Sequence, residues 1–261
     1  MKTSGGSDAM KRRAGESAAA AVSDGDVVGL GTGSTAAHAI RRLGDRVDAG
    51  LDIRGVPTSF ASRELAVEAA IPCLDLPDAV GPDGPGIDVA IDGADQVATG
   101  AGAADAGRGE ADAPAPGSGV SDSPAPGGAL IKGGGAAHAR EKLVDAAADR
   151  FLVVADPSKE SPRLDRSVPI EVLPAGRTAV AAAIREAGGE PTLRRAERKD
   201  GPVVTDNGNL VLDCPFGEVA DPAALSATLS SIPGIVEHGL FVGLADEIHV
   251  GTESDVRVDE V

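Results

Sequence analysis

The sequence predicts an α/β fold, in which a mostly parallel sheet carries helices on both faces and a smaller α+β domain is attached to it. In the first part of the chain, short buried strands alternate with helical segments, which is the pattern of parallel sheets. In the later part, predicted strands and helices follow one another in the order βαββαβ. Glycine-containing polar turns come directly after two of the early strands, where open α/β sheets bind ligands.

The first domain is built from alternating strands and helices. Strand 26–30 runs directly into a glycine turn, and Thr58-Ser59 can cap the helix that follows it. In chain order we predict helix 8–22, strand 26–30, a helix ending near residue 43, strand 51–56, helix 60–70, strand 88–91, a turn and helix within 130–149, and strand 151–155.

The second domain has the element order of a ferredoxin-like fold. An Asn207-Gly208 turn precedes its third strand, and short strands within 245–258 are expected to return to the first domain. The predicted elements are strand 168–174, helix 177–187, strands 191–195 and 209–213, helix 221–231 and strand 235–241. We therefore expect residues 8–160 and 242–261 to form the first domain and residues 165–241 to form the second.

Residues 98–129 interrupt the first domain. The stretch consists mainly of Ala, Gly, Pro, Ser and Asp, and Val120 is its only larger aliphatic residue. Such a composition cannot bury enough apolar surface to offset the entropy lost on ordering. We interpret it as a disordered surface loop inserted within a domain. A linker between domains is the less favoured alternative, because the motifs on either side belong to one site.

The formal net charge of −17 limits the partners of this protein. Nucleic acids and anionic membranes would both be repelled, so we expect binding to neither. Lysines are few, and three of them, Lys132, Lys142 and Lys159, fall near the predicted site. An acidic, lysine-poor surface is typical of proteins that stay soluble in concentrated salt. An ordinary acidic cytosolic protein is the alternative.

The cysteines and histidines indicate neither a disulfide framework nor a metal site. Cys73 and Cys214 lie far apart without a CxxC pattern, and the four histidines lack metal-ligand spacing. No apolar run reaches the length of a membrane span, and the N-terminus has no signal-peptide core. We therefore expect a cytoplasmic protein without a bound metal.

A glycine-rich turn follows the first strand, with the sequence Gly31-Thr32-Gly33-Ser34-Thr35. Glycines let backbone amides approach an anion, the next helix presents its N-terminal N–H groups, and the hydroxyls add donors. A dinucleotide fingerprint is excluded because Ser34 stands where the third glycine should be, and a Walker loop because no GK[ST] follows. A purely structural turn is the alternative.

A pair of carboxylates follows the strand at 88–91, in the sequence Asp92-Gly93-Ala94-Asp95. Two carboxylates three residues apart can face one pocket and divide the duties of acid and base. In so acidic a chain, a solvated acidic turn is an equally good interpretation of this motif alone.

A second glycine turn has the sequence Lys132-Gly133-Gly134-Gly135, and Glu141 follows it on a predicted helix. The glycines expose amides suited to a developing oxyanion, and Lys132 adds a positive charge beside them. Glu141 can serve as a base, although its neighbours would also fit an ordinary charged helix face.

A fourth motif, Asp156-Pro157-Ser158-Lys159, comes directly after strand 151–155. Lys159 could reach a phosphate or sugar oxygen from this position. A surface turn is the alternative interpretation.

Taken together and in this order, the motifs resemble ribose-5-phosphate isomerase of the A type. The resemblance covers nearly the whole chain, and its residues include GLGTGSTAAHAI at 29–40, TSFASRELA at 58–66, DVAIDGAD at 88–95, KGGGAAHAREKLVDAAADRF at 132–151, VVADPSK at 153–159 and VVTDNGN at 203–209. It implies a Rossmann-like domain joined to a ferredoxin-like one. It also implies a homodimer or homotetramer that acts on a sugar phosphate without a cofactor.

The resemblance also implies roles for individual residues. Glu141 matches the base that moves a proton between C2 and C1, and Asp92 matches a residue that helps to open the furanose ring. Asp95 and Lys132 match groups that stabilise the enediolate and shift protons between O1 and O2. The implied substrate-binding residues are Lys11, Thr32, Gly33, Ser34, Thr35, Asp92, Gly93, Ala94, Asp95, Lys132, Gly133, Gly134, Gly135 and Lys159, with Ser34 and Thr35 near the phosphate.

The chain departs from the family pattern in two places. Gln96 stands where the family commonly has Glu, which alters the charge near the expected pocket. The 98–129 insertion falls between Asp95 and Lys132, so a loop folded across the cleft would affect access of the substrate.

Proteins of two other classes compete with the isomerase. One class is another enzyme of the same broad superfamily, such as an amino-sugar phosphate deaminase or a CoA transferase. The first glycine turn alone would permit the deaminase, but the remaining motifs favour the isomerase. A sugar-phosphate-sensing domain of a transcription regulator would need a DNA-binding segment, and residues 1–25 are too short and the charge is unsuitable for one.

Overall fold

A computed structural model describes residues 7–100, 128–198 and 200–261. The helices are α1 Asp8–Ala20, α2 Ser34–Asp48, α3 Phe60–Glu68, α4 Leu76–Val80, α5 His138–Ala147, α6 Arg177–Glu186 and α7 Pro222–Ser230. The strands are β1 Val27–Leu30, β2 Arg54–Pro57, β3 Ile87–Gly93, β4 Gln96–Ala98, β5 Ala129–Ile131, β6 Ala148–Ala155, β7 Glu160–Ser161, β8 Val168–Val172, β9 Thr192–Leu193, β10 Leu210–Cys214, β11 Ile235–His238, β12 Leu240–Val242, β13 Glu247–Gly251 and β14 Val256–Glu260.

The largest sheet has six strands in the order β14-β13-β6-β3-β1-β2, and every pair except β13–β14 is parallel. Helices α1 and α2 pack on one face and α5 packs on the other. Because both faces are covered, the interior strand β1 is buried along its whole length. Small side chains let α1 and α2 approach closely, since a Cβ atom on Gly15 would lie 2.7 Å from the Ala39 nitrogen.

The second sheet is antiparallel, with strand order β11-β8-β10-β9. Aliphatic side chains of α6, including Val180 and Ile184, bury against Ile170, Val172 and Leu212 of this sheet. This is the predicted ferredoxin-like arrangement, and with the parallel sheet it confirms the predicted fold class. The boundaries assigned to the two domains stay a prediction.

A third sheet, β12-β5-β4-β7, was not expected from the sequence. The strand predicted at 235–241 is divided into β11, which belongs to the second sheet, and β12, which belongs to the third. The prediction of a single strand is therefore wrong. The break falls at Gly239, whose N–H donates to Pro169 O at 2.7 Å and whose carbonyl accepts from Lys132 N at 2.8 Å. A Cβ atom at this position would lie 2.1 Å from the Lys132 carbonyl oxygen, so only glycine fits.

Several predicted boundaries also need correction. Helix α2 continues to Asp48 instead of ending near residue 43, because Leu43 and Gly44 are buried against the body of the domain. The strand predicted at 51–56 is Arg54–Pro57, and the short helix α4 was missed. Ala98 and Ala129, the ends of the expected 98–129 loop, pair with each other in β4 and β5.

The remaining expectation for that loop concerns residues 101–127, which lie outside the described residues. None of the helices within the described ranges is long and apolar enough to cross a membrane.

A buried glutamate holds the turn that links the second sheet to the first. Glu171 on β8 is fully buried, and its Oε1 accepts hydrogen bonds from Thr205 Oγ1 at 2.9 Å, Asn207 Nδ2 at 3.1 Å and Asn209 Nδ2 at 2.8 Å. These bonds fix the turn before β10. Asp206 in the same turn accepts from the Phe60 N–H at 2.9 Å, at the start of α3. The second sheet therefore holds the N-terminus of a helix that belongs to the first.

We expect Glu171→Ala to lower the free energy of unfolding by about 3 kcal/mol, because it leaves three polar groups without their buried acceptor. Urea denaturation followed by circular dichroism measures this change. The exposed Glu190→Ala is the matched control and should change stability by less than about 0.5 kcal/mol. Equal stability of the two variants would contradict the stabilising role of the Glu171 hydrogen bonds.

Candidate active site

The first glycine turn connects β1 to α2 and is held by Asp92 at the end of β3. Thr32 N–H donates to Asp92 Oδ1 at 3.0 Å. A Cβ atom on Gly31 would lie 2.3 Å from that carboxyl group, and Gly33 has a φ of +108°. Glycine is therefore required at both positions, and the turn brings the amides at the start of α2 to the edge of the sheet.

Asp92 is fully buried, with no exposed surface. Its Oδ1 accepts from the Thr32 and Gly93 amides at 3.0 and 2.6 Å, and its Oδ2 lies 2.9 Å from Lys132 Nζ. Burial raises the pKa of Asp92, while the Lys132 ammonium and the amide donors oppose that rise. The carboxyl group thus links the first glycine turn to the lysine of the second.

Lys132 follows β5 and is only 2% exposed. Its Nζ lies 2.9 Å from Asp92 Oδ2 and 3.4 Å from Glu141 Oε2, donates to the Gly93 carbonyl, and lies 5.3 Å from the centre of the Phe241 ring. Burial would lower the pKa of Lys132, but the surrounding carboxylates outweigh it and raise this pKa above its usual value. Lys132 therefore stays a cation.

Glu141 lies in the first turn of α5 and is 4% exposed. Burial raises its pKa to about 8, with the Asp92 charge adding to the shift and Lys132 opposing it. A carboxyl group whose pKa lies near neutral pH can accept and return a proton efficiently.

The second glycine turn is held against Asp95. The Gly134 N–H donates to Asp95 Oδ2 at 2.6 Å, and the Asp95 N–H donates to the Ile131 carbonyl at 2.8 Å. Gly133 adopts a φ of +105°. These contacts place the Asp95 carboxylate beside the turn and leave it at the cavity wall.

Lys159 lies on a short 3₁₀ helix after β6, capped by the Asp156 carboxylate, which accepts from Ser158 N at 2.9 Å. The Lys159 residue is 7% exposed. Burial lowers the pKa of its ammonium; Asp95 opposes this shift, and the positive charges of Arg166 and Lys11 add to it. Lys11 of α1 therefore lies close enough to act on Lys159, although it is not part of the cavity wall.

One cavity of about 90 Å³ collects most of the predicted residues. Its wall consists of Thr32, Gly33, Ser34, Thr35, Gly93, Ala94, Asp95, Lys132, Gly133, Gly134, Gly135, Glu141 and Lys159. Of the predicted set, only Asp92 and Lys11 are not in the wall, and Asp92 contacts it from behind through Lys132. A larger groove of about 730 Å³ beside β4 and β14 contains none of these residues.

Three residues near the cavity were not predicted. Asp145 lies one turn after Glu141 on α5, is buried, and has a pKa raised well above its usual value by burial. Its spacing of four residues from Glu141 could have indicated a shared helix face. His138 is fully buried under the second glycine turn. Arg194 contacts the same turn from the second sheet, and no local sequence pattern indicates this contact.

The arrangement is suited to moving a proton on carbon next to a carbonyl group. Glu141 can act as the base, Lys132 can stabilise negative charge on oxygen, and the amides of the second glycine turn add donors. Within the described ranges, no three His, Cys, Asp or Glu side chains come together in a way that could hold a metal ion.

We expect the Glu141 carboxyl group to titrate with a pKa near 8. Carbon-13 NMR of labelled glutamate measures this, and the signal absent from Glu141→Gln assigns it. Since the folded protein binds the proton more tightly, ionisation of Glu141 should lower stability as the pH rises from about 4.5 to about 8. If every glutamate titrated with a pKa within about one unit of 4.3, the buried environment described for Glu141 would be contradicted.

The chain is similar over nearly its whole length to proteins named ribose-5-phosphate isomerase A. A profile of the family ribose 5-phosphate isomerase A (phosphoriboisomerase A) matches residues 54–112 and 121–255. Proteins named ribose-5-phosphate isomerase A from Halorubrum lacusprofundi and Haloarcula marismortui are 75% and 60% identical, over 99% and 97% of this chain and 99% and 96% of theirs. Both are halophilic archaea, which agrees with the high-salt prediction.

Solved structures agree. Ribose 5-phosphate isomerase A from Methanocaldococcus jannaschii has a TM-score of 0.81 at 36% identity, covering 97% of this chain and 98% of its own. A D-ribose-5-phosphate isomerase in complex with phospho-erythronic acid also has a TM-score of 0.81, at 37% identity, covering 97% and 98%. With the cavity and its carboxylates in place, these matches establish that the chain belongs to the ribose 5-phosphate isomerase A family.

Proposed function

We propose that this chain interconverts D-ribose 5-phosphate and D-ribulose 5-phosphate through an enediolate. Membership of the family supports this substrate, and the position of Glu141 supports the chemistry. The observation that carries the proposal is a buried carboxyl group with a raised pKa, 3.4 Å from a lysine ammonium in the same cavity wall. Such a pair can accept a carbon-bound proton and stabilise the anion that results.

In the forward direction, Glu141 removes the proton from C2 of the open-chain aldose. The electrons of the broken C–H bond form the C1–C2 double bond, and the carbonyl electrons move to O1. Glu141 then delivers its proton to C1, while the O2 proton is transferred to O1 and a carbonyl forms at C2. Lys132 and the Asp95 carboxyl group lie beside this path and supply the charge and the proton exchange between O1 and O2.

The start of α2 provides the phosphate site in this proposal. Ser34 and Thr35 begin a helix of 15 residues, so their N–H groups lie at its positive end and their hydroxyls add donors. Lys159 in the same cavity wall adds a cation, and the charge of Lys11 acts on Lys159. Binding the remote phosphate holds the sugar still while the reaction proceeds at C1 and C2.

Asp92 has a different position from the other site residues, since it lies behind the cavity wall. We propose that it fixes the position and charge of Lys132, to which it is joined at 2.9 Å. Its expected role in opening the furanose ring stays a prediction, as do assembly into a dimer or tetramer and a cytoplasmic location.

A direct assay tests the function. The purified protein should convert ribose 5-phosphate to ribulose 5-phosphate in the presence of EDTA, because the proposed steps use only side chains and amides. It should release no ammonia from glucosamine 6-phosphate, which separates it from an amino-sugar phosphate deaminase. Ammonia release without ribose 5-phosphate turnover would contradict the proposal.

Glu141→Gln should keep the fold but lose about 10²- to 10⁴-fold in kcat, because an amide cannot accept the carbon-bound proton. KM should change little, since the phosphate contacts at Ser34 and Thr35 remain. Steady-state kinetics measures both constants. The exposed Glu64→Gln is the control and should behave as wild type. If Glu141→Gln kept more than about a tenth of kcat, the base would have to be reassigned to Asp95 or Asp92.

A further inference from the structure

Arg194 connects the second sheet to the active-site cavity. It follows β9, where its N–H donates to the Val211 carbonyl at 2.9 Å and continues the pairing with β10. Its guanidinium forms a bidentate ion pair with Asp213 of β10, in which Nε donates to Oδ2 at 2.9 Å and Nη2 donates to Oδ1. The Arg194 side chain is 10% exposed, and the Asp213 side chain is partly buried at 28% exposure.

The third nitrogen of this guanidinium reaches the second glycine turn. Arg194 Nη1 donates to the Gly133 carbonyl at 2.8 Å and lies 3.3 Å from the Gly134 carbonyl. Asp213 thus fixes Nε and Nη2 of the planar group, and this orients Nη1 toward the turn. A lysine could supply the charge but not this fork of donors.

Peptide geometry carries the effect of Arg194 across the turn. In a planar trans peptide, the C=O and N–H bonds point in opposite directions. The Gly133 carbonyl faces Arg194, and the N–H of the same peptide, from Gly134, donates to Asp95 Oδ2 at 2.6 Å. The Gly134 carbonyl also faces Arg194, so the Gly135 N–H is directed away from it, and Gly135 lines the cavity.

We propose that Arg194 is a positioning residue of the isomerase site: through the Gly133 and Gly134 carbonyls it turns the Gly135 amide and the Asp95 carboxylate toward the enediolate oxygens. The inference rests on the proposed function. It assigns a part of the active site to the second sheet, which contributes no residue to the cavity wall itself.

The groups around the second glycine turn are compatible with the permanent positive charge of Arg194. His138 packs under the turn, where a Cβ atom on Gly133 would lie 2.7 Å from His138 Nδ1. Burial first, and then the charges of Arg194 and Lys142, lower the pKa of His138 to about 3. The ring is therefore neutral at neutral pH and does not repel the guanidinium. A cation against the two carbonyls also polarises their peptides, which strengthens their N–H groups as donors.

The test compares Arg194→Met and Arg194→Lys with wild type. Both should lower kcat roughly 10- to 100-fold with KM changed by less than about 3-fold, since misplaced donors affect the transition state more than the bound phosphate. Arg163→Met is the matched control: it removes an arginine from the exposed ion pair with Glu218 and should leave kcat unchanged. Circular dichroism and the melting temperature establish that each variant is folded.

Two inhibitors separate positioning from general damage to the cavity. Phospho-erythronic acid carries a carboxylate with two oxygens and shared negative charge, as an enediolate does, whereas inorganic phosphate probes only the phosphate site. In the folded Arg194 variants, the inhibition constant for phospho-erythronic acid should rise by about the same factor as kcat/KM falls. The constant for inorganic phosphate should stay within about 2-fold of wild type.

Two results would overturn the proposal. One is wild-type kcat in Arg194→Met; the other is an equal rise of both inhibition constants, which would mean that the cavity as a whole is disturbed. If Arg194→Met does not fold, Asp213→Asn provides the second test. It removes the charge and one of the two acceptors that orient the guanidinium, while the side chain keeps its shape. Failure of the proposed function is distinct, since it would appear as wild-type protein that does not turn over ribose 5-phosphate.

Discussion

The buried ammonium group of Lys132 is the constraint on which the site depends. It lies between the Asp92 and Glu141 carboxyl groups, at 2.9 and 3.4 Å, with almost no contact with solvent. Without this cation, a cluster of buried carboxyl groups would have to take up protons or repel one another. Lys132 thus permits the chain to hold two buried carboxyl groups, those of Asp92 and Glu141, in one small space. The same charge is available to an anion formed in the cavity.

All three sheets contribute to the site. The turns after β1 and β3 of the parallel sheet supply part of the wall, and the turn after β5 of the third sheet supplies Lys132 and the glycines that follow it. The antiparallel sheet supplies the supports: Gly239 accepts from the Lys132 amide, Asp206 accepts from the first N–H of α3, and Arg194 holds the second glycine turn. A change in how the sheets pack would therefore alter the cavity even if none of its wall residues were replaced.

Much of this could be predicted from the sequence because its signals are local. The turns at Gly31 and Gly133 and the carboxylates at the end of β3 can be recognised from residue type and order, and thirteen predicted residues share one cavity wall. The supports could not be predicted in the same way. Arg194 lies 61 residues from Gly133 along the chain, and its role depends on how two sheets pack. The break at Gly239 has the same origin, since it follows from close approach to Lys132.

A double-mutant cycle between Lys132 and Asp92 tests this account most directly. The free energy of unfolding in urea would be measured for Lys132→Met, Asp92→Asn and the double variant at neutral pH. Because Lys132→Met leaves buried carboxyl groups without their cation, it should cost about 3–5 kcal/mol, and the double variant should cost clearly less than the sum of the single changes. All three should lose isomerase activity. Additive losses, within about 0.5 kcal/mol, would contradict the claim that this buried pair holds the site together.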